Sequence, residues 1–194
     1  MSSHLYGATL MGRQMGSVLA GFDEPVRELH SVADAKVVFG QTDIEHGSHP
    51  LAVLITRAFG FPAAGRVLPT AITIVSDGRA EIWHRRFAGQ PILTELEPGR
   101  LTATAIVERF RFGVAFDLDV TECQGTLRFE VIGMRICGVP MPRWLWPTLE
   151  AKESEEAGGF RFDIDIGMRW IGRLIRYRGW VRARSEAKNV GREG

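Results

Sequence analysis

The residues best suited to chemistry stand together in one short segment, Trp83-His84-Arg85-Arg86-Phe87. An imidazole can donate or accept a proton near neutral pH, and a guanidinium offers a two-pronged fork for a carboxylate or an enolate. Read as a strand, the segment places Trp83, Arg85 and Phe87 on one face and Ile82, His84 and Arg86 on the other. Neither face is cleanly apolar, so at least one basic group meets the interior or a rim. Two readings stay open: a site for an anionic group, or ion pairs with Glu81, Glu108 or Asp117 on neighbouring strands. Ile82 marks its own face as apolar-walled, and a half-buried imidazole costs less than a buried guanidinium. The sequence therefore predicts His84 inward, with Arg86 beside it and paired to Glu108 or to a ligand.

A second charged-aromatic stretch, Glu108-Arg109-Phe110-Arg111-Phe112, could supply a carboxylate whose pKa an apolar cavity would raise into the range of a general base. Asp163 and Asp165 alternate so regularly with Phe162, Ile164 and Ile166 that they belong on a solvated face. Trp144 and Trp146 stand in a proline-stiffened loop, with the large apolar area expected at a cavity mouth, in a dimer interface, against lipid headgroups or in core packing under a long loop. Tyr177 and Trp180 are interleaved with Arg169, Arg173, Arg176, Arg178, Arg182 and Arg184, but alternation with apolar residues reads as a strand, not a nucleic-acid interface. Asp43, Glu45, His46 and His49 lack a fixed third ligand and fit helix capping better than metal binding. No phosphate-binding loop and no set of nucleophile, base and orienting group occurs, so no cofactor is expected.

These residues need a scaffold, and its pattern is mainly period two. A weak amphipathic helix runs from about residue 5 to 20, and a short turn follows from Pro25 to His30. Residues 36–45 form a first strand, with Gly40 as a bulge. Ser48-His49-Pro50 then starts a helix over 49–59, in which Ser48 supplies the cap and Gly60 the stop. From Ile72 to Val181 short strands alternate with turns at Asp77-Gly78, Gly89-Gln90, Pro98-Gly99, Gln124-Gly125 and Gly158-Gly159. The stretch 101–112 reads as one long bent strand. About 8–10 antiparallel strands imply a barrel or a strongly curved half-barrel, calycin-like in outline, since closure covers the apolar face and removes sticky edges. The 49–59 helix would close one end.

With 194 residues, 45% hydrophobic content and a net charge of +1, the chain fits one domain over 1–183 with a mobile polar tail over 184–194. That charge balance provides no overall field for nucleic acid or an anionic membrane. Cys123 and Cys137 are expected as reduced thiols. Gly7, Gly12 and Gly16 interrupt any signal-peptide core. No stretch approaches the roughly 18 apolar residues of a spanning helix, so a cytoplasmic protein without stable membrane insertion is expected.

Trp83-His84-Arg85-Arg86-Phe87-Ala88-Gly89, the later Gly138-Val139-Pro140-Met141-Pro142-Arg143-Trp144, the closing Tyr177-Arg178-Gly179-Trp180 and the early Leu29-His30 resemble the family called domain of unknown function 4166. The resemblance covers roughly residues 6–182. It implies no agreed activity. It does imply relatives fused behind a reductase similar to saccharopine dehydrogenase, whose Gly-x-Gly-x-x-Gly motif this chain lacks, so a reductase partner would be a separate polypeptide.

The expected function is binding of a hydrophobic small molecule with an anionic or carbonyl group inside a barrel cavity. The expected ligand-binding residues are Trp83, Arg85, Arg86, Arg109, Trp144, Trp146 and Tyr177. Two alternatives use the same cavity or its rim. One is a cofactor-free cyclase or isomerase in which His84 or Glu108 moves a proton and Arg85 or Arg86 stabilises an oxyanion. The other is an accessory domain that docks a separate reductase, or a second copy, through the Trp144–Trp146 loop.

Overall fold

In the computed structural model the period-two segments become eleven strands: β1 (Ala35–His46), β2 (Gly65–Ser76), β3 (Glu81–Phe87), β4 (Gln90–Pro98), β5 (Ile106–Arg109), β6 (Val114–Cys123), β7 (Thr126–Ile136), β8 (Val139–Pro140), β9 (Pro147–Glu156), β10 (Gly159–Met168) and β11 (Gly172–Ala183). The structure describes residues 9–16, 19, 21–22 and 24–183. The expected tail from Arg184, and Leu5 and Val18 of the first helix, lie outside them.

Ten strands close into an antiparallel barrel. Each of β1 to β7 pairs with the next, β7 pairs with β9, and β11 returns to β1. The two-residue β8 adds only to the end of β7. Closure leaves the inner face to apolar side chains, among them Val38, Ile74, Trp83, Leu118, Phe162 and Val181, all buried in one cluster. On the outer face Arg176 clamps Asp163 at 2.6 and 2.8 Å and Arg173 clamps Asp165 at 2.6 Å. The guanidinium of Arg176 holds the Asp163 carboxyl below its ordinary pKa.

Several turns are tighter than they look in sequence. Ala88-Gly89, Gln124-Gly125, Cys137-Gly138 and Ala157-Gly158 each place two successive residues at positive φ, the two-residue hairpin that matches strand twist. Asp77-Gly78 instead begins a four-residue loop, in which Asp77 Oδ1 accepts from the Arg79 and Ala80 amides at 2.7 and 2.8 Å. Gly40 is not a bulge: β1 keeps register through it, and the irregularity falls between Thr42 and Ile44. Glycine is required at 40 because a Cβ there would lie 1.8 Å from the Trp180 carbonyl oxygen of β11.

Short helices close the two ends. The helices α1 (Leu10–Met15) and α2 (Glu24–Leu29) bury Leu10, Met11, Val26 and Leu29 against one end. At the other end α3 (Pro50–Phe59) occupies the connection between β1 and β2. Its cap is His49, whose Nδ1 accepts from the Leu51 amide at 3.2 Å, rather than Ser48; Gly60 ends it in the left-handed region as expected. The stretch 101–112 is not one strand. Only Ile106–Arg109 pairs, and residues 111–113 form a single 3₁₀ turn. Among the described residues no helix is long and apolar enough to cross a membrane.

Candidate functional site

Strand β3 decides what the barrel interior contains. Its alternation turns Trp83 and Phe87 inward, both almost fully buried, and leaves Ile82 46% exposed outside. Arg85 lies between the two aromatics and must share their face. Burying Trp83 and Phe87 contributes about 2–3 kcal/mol each, and the opposite facing would bury one isoleucine together with His84 and Arg86. The larger apolar gain therefore sets the register, and His84 and Arg86 face outward, contrary to the sequence-based expectation. There Arg86 Nε stands 3.5 Å from His84 Nε2.

The inward guanidinium is held on three sides. Arg85 Nη1 donates to Thr94 Oγ1 on β4 at 2.7 Å, and Nη1 and Nη2 both approach Glu108 Oε1 on β5 at 3.3 Å. Its Cζ sits 4.8 Å from the Trp83 ring centroid, within cation–π range. Of the two readings of this strand, the cross-strand ion pair with Glu108 is present, and it faces the cavity. Both partners retain some accessible surface, with 15% and 16% of their side chains exposed.

Tyr177 completes this part of the wall from β11. Its ring lies 5.8 Å from Phe87 and 6.2 Å from Phe162. Burial pushes its hydroxyl pKa well above that of an ordinary phenol. Further along, His30 Nε2 meets Glu153 Oε2 at 2.8 Å, and His30 Nδ1 has no hydrogen-bond partner among the described residues. Beside them the fully buried Glu81 accepts from Trp83 Nε1 at 3.0 Å, and burial raises its carboxyl above the usual carboxylate range.

Arg85, Glu108, Tyr177, His30 and Glu153 line an inner chamber of about 90 Å³ whose other walls are apolar. Towards α3 lies a second cavity of about 260 Å³ with wholly apolar walls, including Ile55, Phe59, Leu145 and Met168. Phe110, Phe116, Pro147 and Ile166 line both. The two spaces adjoin at these four side chains, an apolar vestibule on one side and the chamber with its polar end on the other. A ligand spanning both would fall in the usual size class of small-molecule pockets, roughly 300–1,000 Å³.

The structure brings together Trp83, Arg85, Glu108 and Tyr177. Arg109 is outside the chamber, on the barrel exterior, bound to Glu97 at 2.8 Å. The 139–147 loop borders the vestibule through Leu145 and Pro147. Trp146 is half-buried and donates to the Met141 carbonyl at 2.8 Å, whereas Trp144 projects outward. His46 and His49 do not converge: His46 Nε2 meets the Pro62 carbonyl at 2.8 Å, and His49 caps α3.

Sequence reasoning missed Thr94, His30 and Glu153. Glu153 shares one face of β9 with Leu149 and Ala151, but its own charge reads as solvent-facing in the sequence. His30 follows Val26 and Leu29 at helical spacing, which placed it on a core face but named no partner.

Residues 22–181 match the family model described as Domain of unknown function (DUF4166), and the chain belongs to that family. No curated protein and no solved structure matches it.

Proposed function

We propose that this member of the family binds a hydrophobic small molecule through a carbonyl or similarly polar, uncharged end group. The observation that carries the reading is the Arg85–Glu108 pair at the inner end of an apolar vestibule. Glu108 already balances the charge of Arg85. A carboxylate ligand would have to displace Glu108 or leave it facing a second anion, which is unfavourable at low dielectric. A carbonyl oxygen asks for no such exchange: it accepts from Arg85 or from Tyr177 while the chain of the ligand fills the vestibule.

The test is native mass spectrometry of the full-length protein with a medium-chain 2-alkanone. A one-to-one adduct is expected, and Phe116→Trp, which fills the wall common to both spaces, should abolish it. Persistence of the adduct in that variant would place the ligand elsewhere.

One observation supports a second reading, proton-transfer catalysis in the same chamber. The His30–Glu153 pair has the composition of an acid–base dyad, with Nδ1 unengaged among the described residues. In this reading His30 or Glu108, rather than the outward His84, moves the proton, and Arg85 stabilises the developing oxyanion. Catalysed deuterium uptake next to the ketone carbonyl, lost in His30→Ala, would support it.

A further inference from the structure

The meander sends alternate connections to the same end of the barrel. Residues 47–64, 88–89, 110–113, 137–146 and 169–171 all lie at the α3 end. None of these five segments contains an aspartate or glutamate, and together they contain Arg57, Arg111, Arg143 and Arg169. Arg66 and Arg86 add to them from adjoining strand ends, where the acid at the end of β1, Glu45, is already engaged by Arg173 and Arg178 at 3.4 and 3.7 Å. All six arginines are exposed, and among the described residues none of them forms a salt bridge. The opposite end has a different character. Its described segments carry Glu24, Glu28, Asp34 and Asp77 alongside Arg13, Arg27, Arg79 and Arg100, and Glu28 there engages Lys36 at 2.9 Å.

The same α3 end exposes large apolar side chains. Trp170 is 75% exposed, Leu54 62% and Trp144 61%, and Leu51, Phe112 and Val139 are each at least half exposed. In the connections of the opposite end, Leu101 is the one described counterpart. Two of the arginines stand over aromatic rings, Arg111 at 4.4 Å from the Phe112 centroid and Arg143 at 5.3 Å from that of Trp146. The guanidiniums therefore lie at the level of the apolar side chains.

We infer that the α3 end of the barrel docks onto the surface of an anionic lipid bilayer. Exposed aliphatic and indole side chains suit the boundary between headgroups and acyl chains, and arginines without carboxylate partners complement lipid phosphates. Nucleic acid would match the arginines and stack on the aromatics, but Leu51, Leu54 and Val139 would gain nothing from it. The apolar vestibule lies beneath the same surface, so a hydrophobic ligand could pass between bilayer and barrel without crossing water. The inference goes beyond the binding reading and is measured with no cavity ligand present, so either can fail alone.

The experiment is co-sedimentation of the full-length protein with vesicles of phosphatidylcholine alone, or of phosphatidylcholine mixed with phosphatidylglycerol. Binding is expected to the mixed vesicles only, with a blue shift in tryptophan emission and loss at high salt. Replacing Arg111, Arg143 and Arg169 with glutamine should weaken it about a hundredfold, at about fivefold per arginine. Trp144→Ala with Trp170→Ala should remove the blue shift while the residual binding stays salt-dependent. Circular dichroism verifies that both sets of variants are folded. Equal binding to both vesicle types, or to neither, overturns the inference. So does vesicle indifference combined with tight binding of single-stranded DNA, or with self-association that the tryptophan variants abolish.

Discussion

Arg85 on β3 and Glu108 on β5 meet inside the barrel across the intervening β4, with both guanidinium nitrogens 3.3 Å from one carboxylate oxygen. A partly buried pair of this kind costs most when only one partner is removed, because the remaining charge loses its compensation. Arg85→Met and Glu108→Leu should each destabilise the fold by about 2 kcal/mol. The double variant should cost at least about 1 kcal/mol less than the two together. Urea unfolding of the four proteins checks this, and strict additivity would show that the pair is not coupled.

Glu81 makes stability depend on pH in a particular sense. Its folded-state pKa is raised above the ordinary 4.5 by burial. Between those two values the folded chain keeps a proton that the unfolded chain has released, so the contribution of Glu81 to stability falls as pH rises. Glu81→Gln retains an oxygen for Trp83 Nε1 and cannot ionise. Its stability relative to the parent protein should therefore increase with pH above 4.5 and level off once Glu81 is ionised in the folded state. Thermal melts across that range measure the difference, and a difference that is flat with pH would mean the carboxyl is not perturbed.

The two loop tryptophans should part company. Trp146 is half-buried and hydrogen-bonded to Met141, so Trp146→Ala should cost about 2–3 kcal/mol through lost packing and an unpaired carbonyl. Trp144 is exposed, and Trp144→Ala should change stability by less than about 0.5 kcal/mol. Unfolding midpoints of the two single variants decide the point.

The outward face of β3 yields a negative prediction. Arg86→Ala should leave binding of a medium-chain 2-alkanone within about twofold of the parent protein, because Arg86 lies outside the chamber. A larger loss in calorimetric titration would put the ligand on the barrel exterior.

How far the sequence spoke differs between fold and site. Strand alternation and turn glycines were enough for a closed antiparallel barrel, because a sheet with one apolar face has few ways to cover it. Residues 101–105 escaped because tertiary contacts, not local propensity, hold them. Thr102 and Thr104 both donate to Asp119 Oδ1, at 2.5 and 2.7 Å, and Gln14 Nε2 reaches the carbonyls of Gly99 and Ala105. At β3 the residue types of the site were legible but the facing was not. It turned on Trp83 and Phe87 outweighing Ile82, and on Thr94 and Glu108 being close enough to satisfy Arg85. The net charge of +1 concealed an uneven distribution, which emerges only once the topology gathers distant loops at one end.

The most direct measurement is the relative affinity of a medium-chain 2-alkanone and the n-alkane of equal carbon number, for the parent protein and for Arg85→Met. A hydrogen bond to a charged donor within the chamber should favour the ketone by about tenfold or more. That preference should disappear in Arg85→Met while alkane affinity changes little. Equal affinities in the parent protein, or a ketone preference that survives the loss of Arg85, would contradict a binding site built around this residue.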